Sequence, residues 1–195
     1  METNNKIIDK RYKRLFIGIS LSKEICDYFY NLTLNLSKEN NNIKPIPPQN
    51  IHITLKFLGN VKTQELENIY SNIELSLKDI KNFKFNINDN LDGFPKITSS
   101  RILFASIGDG SAQMEEIFEK IKKNLSKIGF NRDEKKFIPH ITIARMKLPI
   151  NFTGLIENLN LKKFENIKCD KIILFESILS SKGPQYLIEK VFVLK

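Results

Sequence analysis

Asn50-Ile-His-Ile-Thr-Leu-Lys-Phe57 and Ile138-Pro-His-Ile-Thr-Ile-Ala-Arg145 contain the only two histidines of this 195-residue chain. Each phrase reads His-Ile-Thr followed by an aliphatic residue, and its β-branched content marks it as a strand. Side chains alternate across a strand, so His52 and Thr54 share one face while Ile51, Ile53 and Leu55 take the other. His140 and Thr142 stand likewise opposite Ile141 and Ile143. Each strand therefore turns an apolar side to a core and an imidazole–hydroxyl pair away from it. One such pair is ordinarily a half-exposed polar patch. Two histidines in identical phrases, each preceded by its own strand–helix stretch, instead suggest two similar halves whose His-Thr pairs line a shared cleft. The same alternation puts Lys56 on the His52 face and Arg145 opposite His140, unless the strand bends near Ala144. Phe16 and Phe57, in apolar runs, read as core.

Outward from these phrases the chain alternates strands and helices. Arg14–Leu21 is a buried strand. Ser22 caps a helix reaching about Ser37, with Ile25, Phe29, Leu32 and Leu36 on one face. Polar residues and the prolines at 45, 47 and 48 mark a loop before the first histidine strand, Asn50–Leu58. A helix opened by Thr63 carries the stripe Leu66, Ile69, Ile73 and Leu77. Strands follow at Phe83–Asn88 and Arg101–Ile107, separated by a break at Asp92-Gly93-Phe94-Pro95. The next helix, from about Ser111 to Ile128, buries Met114, Ile117, Phe118, Ile121 and Leu125, and Gly129 suits its C-terminal turn. A charged loop spans Asn131–Lys136 before the second histidine strand, Phe137–Met146. Strands at Cys169–Leu179 and Gln185–Leu194 close the chain as an antiparallel hairpin. This order suits an α+β fold better than a doubly wound parallel sheet, and no linker divides residues 1–195.

Apolar residues make up 41% and charged residues 27% of the chain, which excludes disorder and fibrous repeats. No apolar run approaches the roughly 20 residues that span a bilayer, and Met1–Lys13 lacks the apolar core of a secretory signal. Cys26 and Cys169 are too far apart for a CxxC pair, so a reducing cytoplasm is expected. Thirty-one Lys and Arg against 22 Asp and Glu leave a formal charge of +9, which favours a polyanionic partner without choosing among RNA, DNA and a small phosphorylated metabolite.

Zinc would want three or four protein ligands, and neither His-x-Thr phrase has a flanking carboxylate. There is no nucleophile elbow, no cysteine beside a histidine and no Walker-type glycine loop. Paired acid–base catalysis fits better. Two imidazoles can take a proton from an attacking oxygen and give one to a leaving oxygen in a single phosphoryl displacement. The threonine hydroxyls would hold non-bridging phosphate oxygens and an arginine would stabilise the transition-state charge. No metal or other cofactor is required, and a ribose hydroxyl is a fitting leaving group.

These phrases, with Arg14-Leu-Phe-Ile-Gly-Ile19, the continuation to Gly59, Gly93-Phe-Pro95, Leu174-Phe-Glu-Ser177, Gly183 and Tyr186, resemble the 2H phosphoesterase superfamily over nearly the whole chain. Within it they resemble the RNA 2′,3′-cyclic phosphodiesterases, also called 2′-5′ RNA ligases. The resemblance implies a bilobal α+β fold whose two pseudo-symmetric halves line a central cleft with antiparallel sheets. It implies hydrolysis of RNA 2′,3′-cyclic phosphate ends, tRNA fragments among them, to 2′-phosphates by a cytoplasmic monomer, with 2′-5′ ligation as the reverse reaction. Carried over, His52 is the general acid, His140 the general base, Thr54 and Thr142 bind phosphate, and Arg145 steadies it. A hydrolase of a small cyclic nucleotide or 2′-5′ oligonucleotide, and a non-catalytic RNA binder, remain as alternatives.

Overall fold

The computed structural model describes residues 11–131, 136–157, 159–181 and 183–195. Most of the expected charged loop, and the first ten residues, which the reading of the N-terminus relied on, lie outside them. The element order is β1 (Tyr12–Ser20), α1 (Lys23–Glu39), β2 (Ile43–Pro45), β3 (His52–Lys62), α2 (Leu66–Leu77), β4 (Phe83–Phe94), β5 (Ser100–Ile107), α3 (Ser111–Ser126), β6 (His140–Ile150), α4 (Thr153–Ile156), β7 (Phe164–Cys169), β8 (Lys171–Ser180) and β9 (Gly183–Val193).

Nine strands form one antiparallel sheet in the order β7-β4-β5-β6-β3-β1-β8-β9, with β2 paired to β6. The order is symmetric about its centre. Each half has a histidine strand innermost, β3 or β6, and three more strands outside it. The two inner strands meet through the single pair Ile53–Ile141, so the halves join at one point and diverge on either side of it. The expected fold class is therefore found, with both halves belonging to one continuous sheet.

One sheet face is covered by helices. Ile17, Ile19, Ile53, Ile141 and Ile143 on that face are all at most 2% exposed. They pack in one cluster with Ile25 and Phe29 of α1, Ile69 and Ile73 of α2, and Met114, Ile117, Ile121 and Leu125 of α3. The helices cross over between halves: α1, which follows β1, packs on β2 and β6, whereas α3, which follows β5, packs on β3. The expected stripes of α2 and α3 are buried, although Leu66 is only partly so. In α1 the buried position beside Leu32 is Thr33, whose hydroxyl is satisfied by donating to the Phe29 carbonyl at 2.9 Å. Ser22 caps α1 as expected, accepting from the Ile25 N–H at 3.4 Å.

Several details differ from the sequence reading: β2 lies within the expected proline loop, and β3 runs on past Leu58 to Lys62. β4 runs through Asp92 and Gly93 without a break, since both pair with β5. β7 is a separate edge strand against β4, and the second histidine strand begins at His140 itself. Gly18 sits where β1 crosses β3, and a Cβ there would lie 2.6 Å from the Ile53 carbonyl oxygen, so only glycine allows this approach.

Candidate active site

The site lies on the sheet face opposite the helices, where the two halves diverge. Ile53 and Ile141 share the core face, so their neighbours His52, Thr54, His140 and Thr142 all project to the other side. In that antiparallel register the two histidines are diagonal neighbours, which in an undistorted pair stand about 7–8 Å apart. They line one cleft of about 1020 Å³, together with both threonines and Arg145. All five residues singled out in the sequence come together there.

Arg145 reaches the cleft through a β-bulge. Thr142 pairs with Phe104 and Ala144 with Leu103, leaving Ile143 as an extra residue on β6. The insertion breaks the alternation, so Ala144 is buried among the core residues and Arg145 is exposed on the cleft side. β3 carries the same irregularity at the same distance from its histidine. Thr54 pairs with Gly18 and Lys56 with Ile17, so Leu55 is extra. Lys56 therefore does not share the His52 face. It is 2% exposed and stands opposite Ile17 in the core, where burial pushes its pKa down to about 8. Phe57 moves the other way. It is 60% exposed and lines the cleft, contrary to the expectation that it is core. Phe57 and Arg145 thus occupy matching positions in the two halves. The clue in the sequence was the equal spacing of Phe57 and Arg145 from their histidines.

Each imidazole is held by its own backbone. His52 Nδ1 lies 2.8 Å from the Asn50 carbonyl and His140 Nδ1 lies 2.7 Å from the Ile138 carbonyl. A carbonyl only accepts, so both Nδ1 atoms carry the proton and both Nε2 atoms are left unprotonated in the neutral rings. Here the halves differ. His52 Nε2 is 2.8 Å from Thr54 Oγ1, whereas His140 Nε2 has no such bond among the described residues. The surroundings differ too. Phe16 and Tyr186 pack on His52 with ring centroids 4.8 and 5.2 Å away, and Phe94 and Phe104 pack on His140 at 5.0 and 5.2 Å. Phe16 is buried, as expected of a core residue, but its ring is the platform beneath His52.

These apolar walls favour neutral imidazoles. Burial pushes the His52 pKa down to about 4, helped by the charges of His140 and Arg145 and opposed by the Asn50 carbonyl. Burial and Arg145 also lower His140. Arg14, Lys44 and Arg145 line the cleft and make it cationic. Among the described residues, no three His, Cys, Asp or Glu side chains gather as a metal-binding group. Nor is any described helix long and apolar enough to cross a membrane.

An α+β fold that sets two His-x-Thr strands across a pseudo-symmetric cleft is that of the 2H phosphoesterases. The solved structures agree: TT0787 of Thermus thermophilus superposes with a TM-score of 0.74 at 23% identity, over 93% of this chain and 97% of that one. E. coli LigT complexed with 3′-AMP gives a TM-score of 0.69 at 18% identity, over 94% and 99%. The profile of the 2′-5′ RNA ligase superfamily matches residues 34–177, and the chain belongs to that family. The RNA 2′,3′-cyclic phosphodiesterase of Methanocaldococcus jannaschii is 31% identical over 181 residues, covering 91% of this chain and 98% of that protein. The Thermotoga maritima protein of the same name is 27% identical over 176 residues, covering 90% and 92%.

Proposed function

We propose that this protein hydrolyses RNA 2′,3′-cyclic phosphate ends to 2′-phosphomonoesters, using His52 and His140 as an acid–base pair. The observation that carries the reading is the paired orientation of the two rings. Backbone carbonyls hold Nδ1 of each, which leaves the two Nε2 atoms as the proton-transfer positions of one cationic cleft. The named relatives, RNA 2′,3′-cyclic phosphodiesterases that align along most of the chain, support the same substrate class.

In this scheme His140 Nε2 takes a proton from water as its oxygen attacks phosphorus. The P–O3′ bond breaks and protonated His52 Nε2 gives its proton to the departing 3′ oxygen. The phosphate stays on O2′, and one water is consumed. Thr54 and Thr142 hydroxyls donate to the non-bridging oxygens, which requires Thr54 to exchange its present bond to His52 for one to phosphate. Arg145 stabilises the charge gathering on those oxygens, and Phe57, its counterpart across the cleft, offers a face on which a base stacks. No step calls for a metal. Both imidazoles favour neutrality in the empty cleft, which suits the base; the acid becomes charged when the substrate's anion offsets the cost of burial. With a 5′-hydroxyl in place of water, the same groups in the same roles would form a 2′-5′ linkage: His140 would take the proton of the 5′-hydroxyl as it attacks phosphorus and His52 would protonate the departing O3′, but the great excess of water favours hydrolysis.

The test is incubation with a short RNA ending in a 2′,3′-cyclic phosphate, in EDTA, with mass and terminal-phosphate analysis. Gain of one water with phosphate on O2′ is expected. His52→Ala and His140→Ala should each slow turnover about 10²–10⁴-fold while retaining RNA binding. An inert but folded wild type would overturn the reading.

A further inference from the structure

A second cavity, of about 430 Å³, lies behind His52 and Tyr186, which also line the main cleft. Its remaining walls are the start of α1, the 3-10 turn at Pro48–Asn50, and β8. Leu21, Pro48, Ile51 and Phe175 make it largely apolar, and Gln49 adds an amide with no hydrogen bond among the described residues. This composition, an apolar and aromatic chamber with a few polar groups, is that of a small-molecule site, and the volume falls in the usual range.

The chamber is built in advance. The turn that separates it from the cleft is closed by the Asn50 N–H donating to the Pro47 carbonyl at 2.8 Å. It is pinned to β9 by Asn50 Nδ2, which donates to the Pro184 carbonyl at 2.8 Å. Phe175 is held by stacking on Phe16, with ring centroids 4.9 Å apart, and Tyr186 by edge contacts with Phe16 and His52. A ligand would therefore meet a fixed wall of aromatic rings and would not have to order it.

We propose that this chamber binds the nucleoside immediately 5′ of the cyclic phosphate end, so that the protein acts on oligoribonucleotide ends in preference to mononucleotides. The inference rests on the function proposed above. With the cyclic phosphate between His52 and His140, the chain continues only in the 5′ direction, and the chamber adjoins the cleft across the His52 ring. At the chamber rim Lys23 and Asp27 balance each other's charge, so the lining as a whole is neutral and suits a base better than another phosphate. A base there would contact Tyr186 and Phe175, and the Gln49 amide can donate to or accept from its edge.

The experiment compares kcat/KM for a nucleoside 2′,3′-cyclic phosphate with that for a dinucleotide ending in the same group. Base–aromatic stacking predicts a preference for the dinucleotide of about fivefold or more. Gln49→Trp, which fills the chamber from an exposed position, should bring the ratio close to one. Gln49→Ala, which only removes the amide, should lower it less, and it keeps the test informative where the larger residue perturbs folding. Equal kcat/KM for the two substrates in the wild type, or a ratio that both variants leave unchanged, would overturn the proposal. A folded wild type inert towards both substrates would instead overturn the reading beneath it.

Discussion

His52 couples the ionisation of the cleft to the stability of the fold, and the coupling is measurable. Its pKa falls from the usual 6.5 to about 4 because the half-buried ring packs against Phe16, Phe175 and Tyr186. Below pH 6.5 the unfolded chain therefore takes up a proton that the folded chain refuses. The group's contribution is fully present above pH 6.5 and is lost as pH falls towards 4. Linkage between those two values puts the loss at pH 5 at about 2 kcal/mol relative to pH 7.5, on a total that for most domains is about 5–15 kcal/mol. Urea unfolding at the two pH values reads it directly. His52→Gln keeps a polar group of similar size but does not titrate, so the variant should lose about 2 kcal/mol less than the wild type between pH 7.5 and 5. Parallel pH dependence in the two proteins would refute the claim that the His52 environment expels the charged form.

Further outcomes follow from the same geometry. The pH profile of kcat/KM should be bell-shaped with its maximum on the acidic side of neutrality, because both free-enzyme imidazoles have lowered pKa values; the limbs belong to the pair. The kcat profile should move to higher pH, since bound phosphate favours charged His52, and a profile flat from pH 5 to 8 would count against imidazole catalysis. Arg145→Ala should reduce kcat about 10²–10³-fold, whereas its exposed position predicts little change in Tm. Turnover should persist in EDTA; loss restored by a divalent cation would sink the two-histidine scheme. Gly18→Ala should lower stability by about 1–3 kcal/mol, because its Cβ would collide with the Ile53 carbonyl. A Tm equal to the wild type would show that β1 and β3 can separate there without cost.

Periodicity made much of this architecture legible. The stripes of α2 and α3 predicted the helix faces because the helical period is fixed by one backbone ladder, and every residue can be placed from the last. The His-x-Thr faces were legible for the two residues that follow each histidine, where alternation holds. It fails at Leu55 and Ile143, because a bulge is set by the pairing of one strand with its neighbour and not by the strand's own residues. That is why Lys56 and Phe57 were assigned to the wrong faces while Arg145 depended on a bend. β7 escaped notice for a related reason: Phe164–Cys169 is a short edge strand whose burial pattern alternates poorly, with only its end residues buried. For Arg145 the family resemblance supplied what the pattern did not, because the role it implied required a bend near Ala144. Nothing in the local pattern around Phe57 made a comparable demand.

The matched bulges also bear on how a nearly symmetric frame can run an asymmetric reaction. Both strands place histidine, threonine and the residue after the bulge at equal spacing, so the two halves supply equivalent imidazole positions. The equivalence ends at the side chains. One half presents Arg145 and the other Phe57, and only His52 is bonded through Nε2 to its threonine. A cyclic phosphate is itself asymmetric, with charge on its oxygens and a nucleoside on its ribose. The cation answers the first and the aromatic ring the second. In the proposed reaction, Arg145 and Phe57 would fix which way round the substrate lies, so that one imidazole would face the water and the other the departing ribose oxygen. The roles of acid and base then follow from substrate orientation acting together with the different surroundings of the two rings, so that the reversed orientation pairs each ring with the wrong oxygen. On this argument Phe57→Arg, which makes the two halves more alike at the bulge, should raise phosphate affinity yet lower kcat by letting substrate bind both ways round. Tighter phosphate binding with undiminished kcat would show that orientation is set elsewhere.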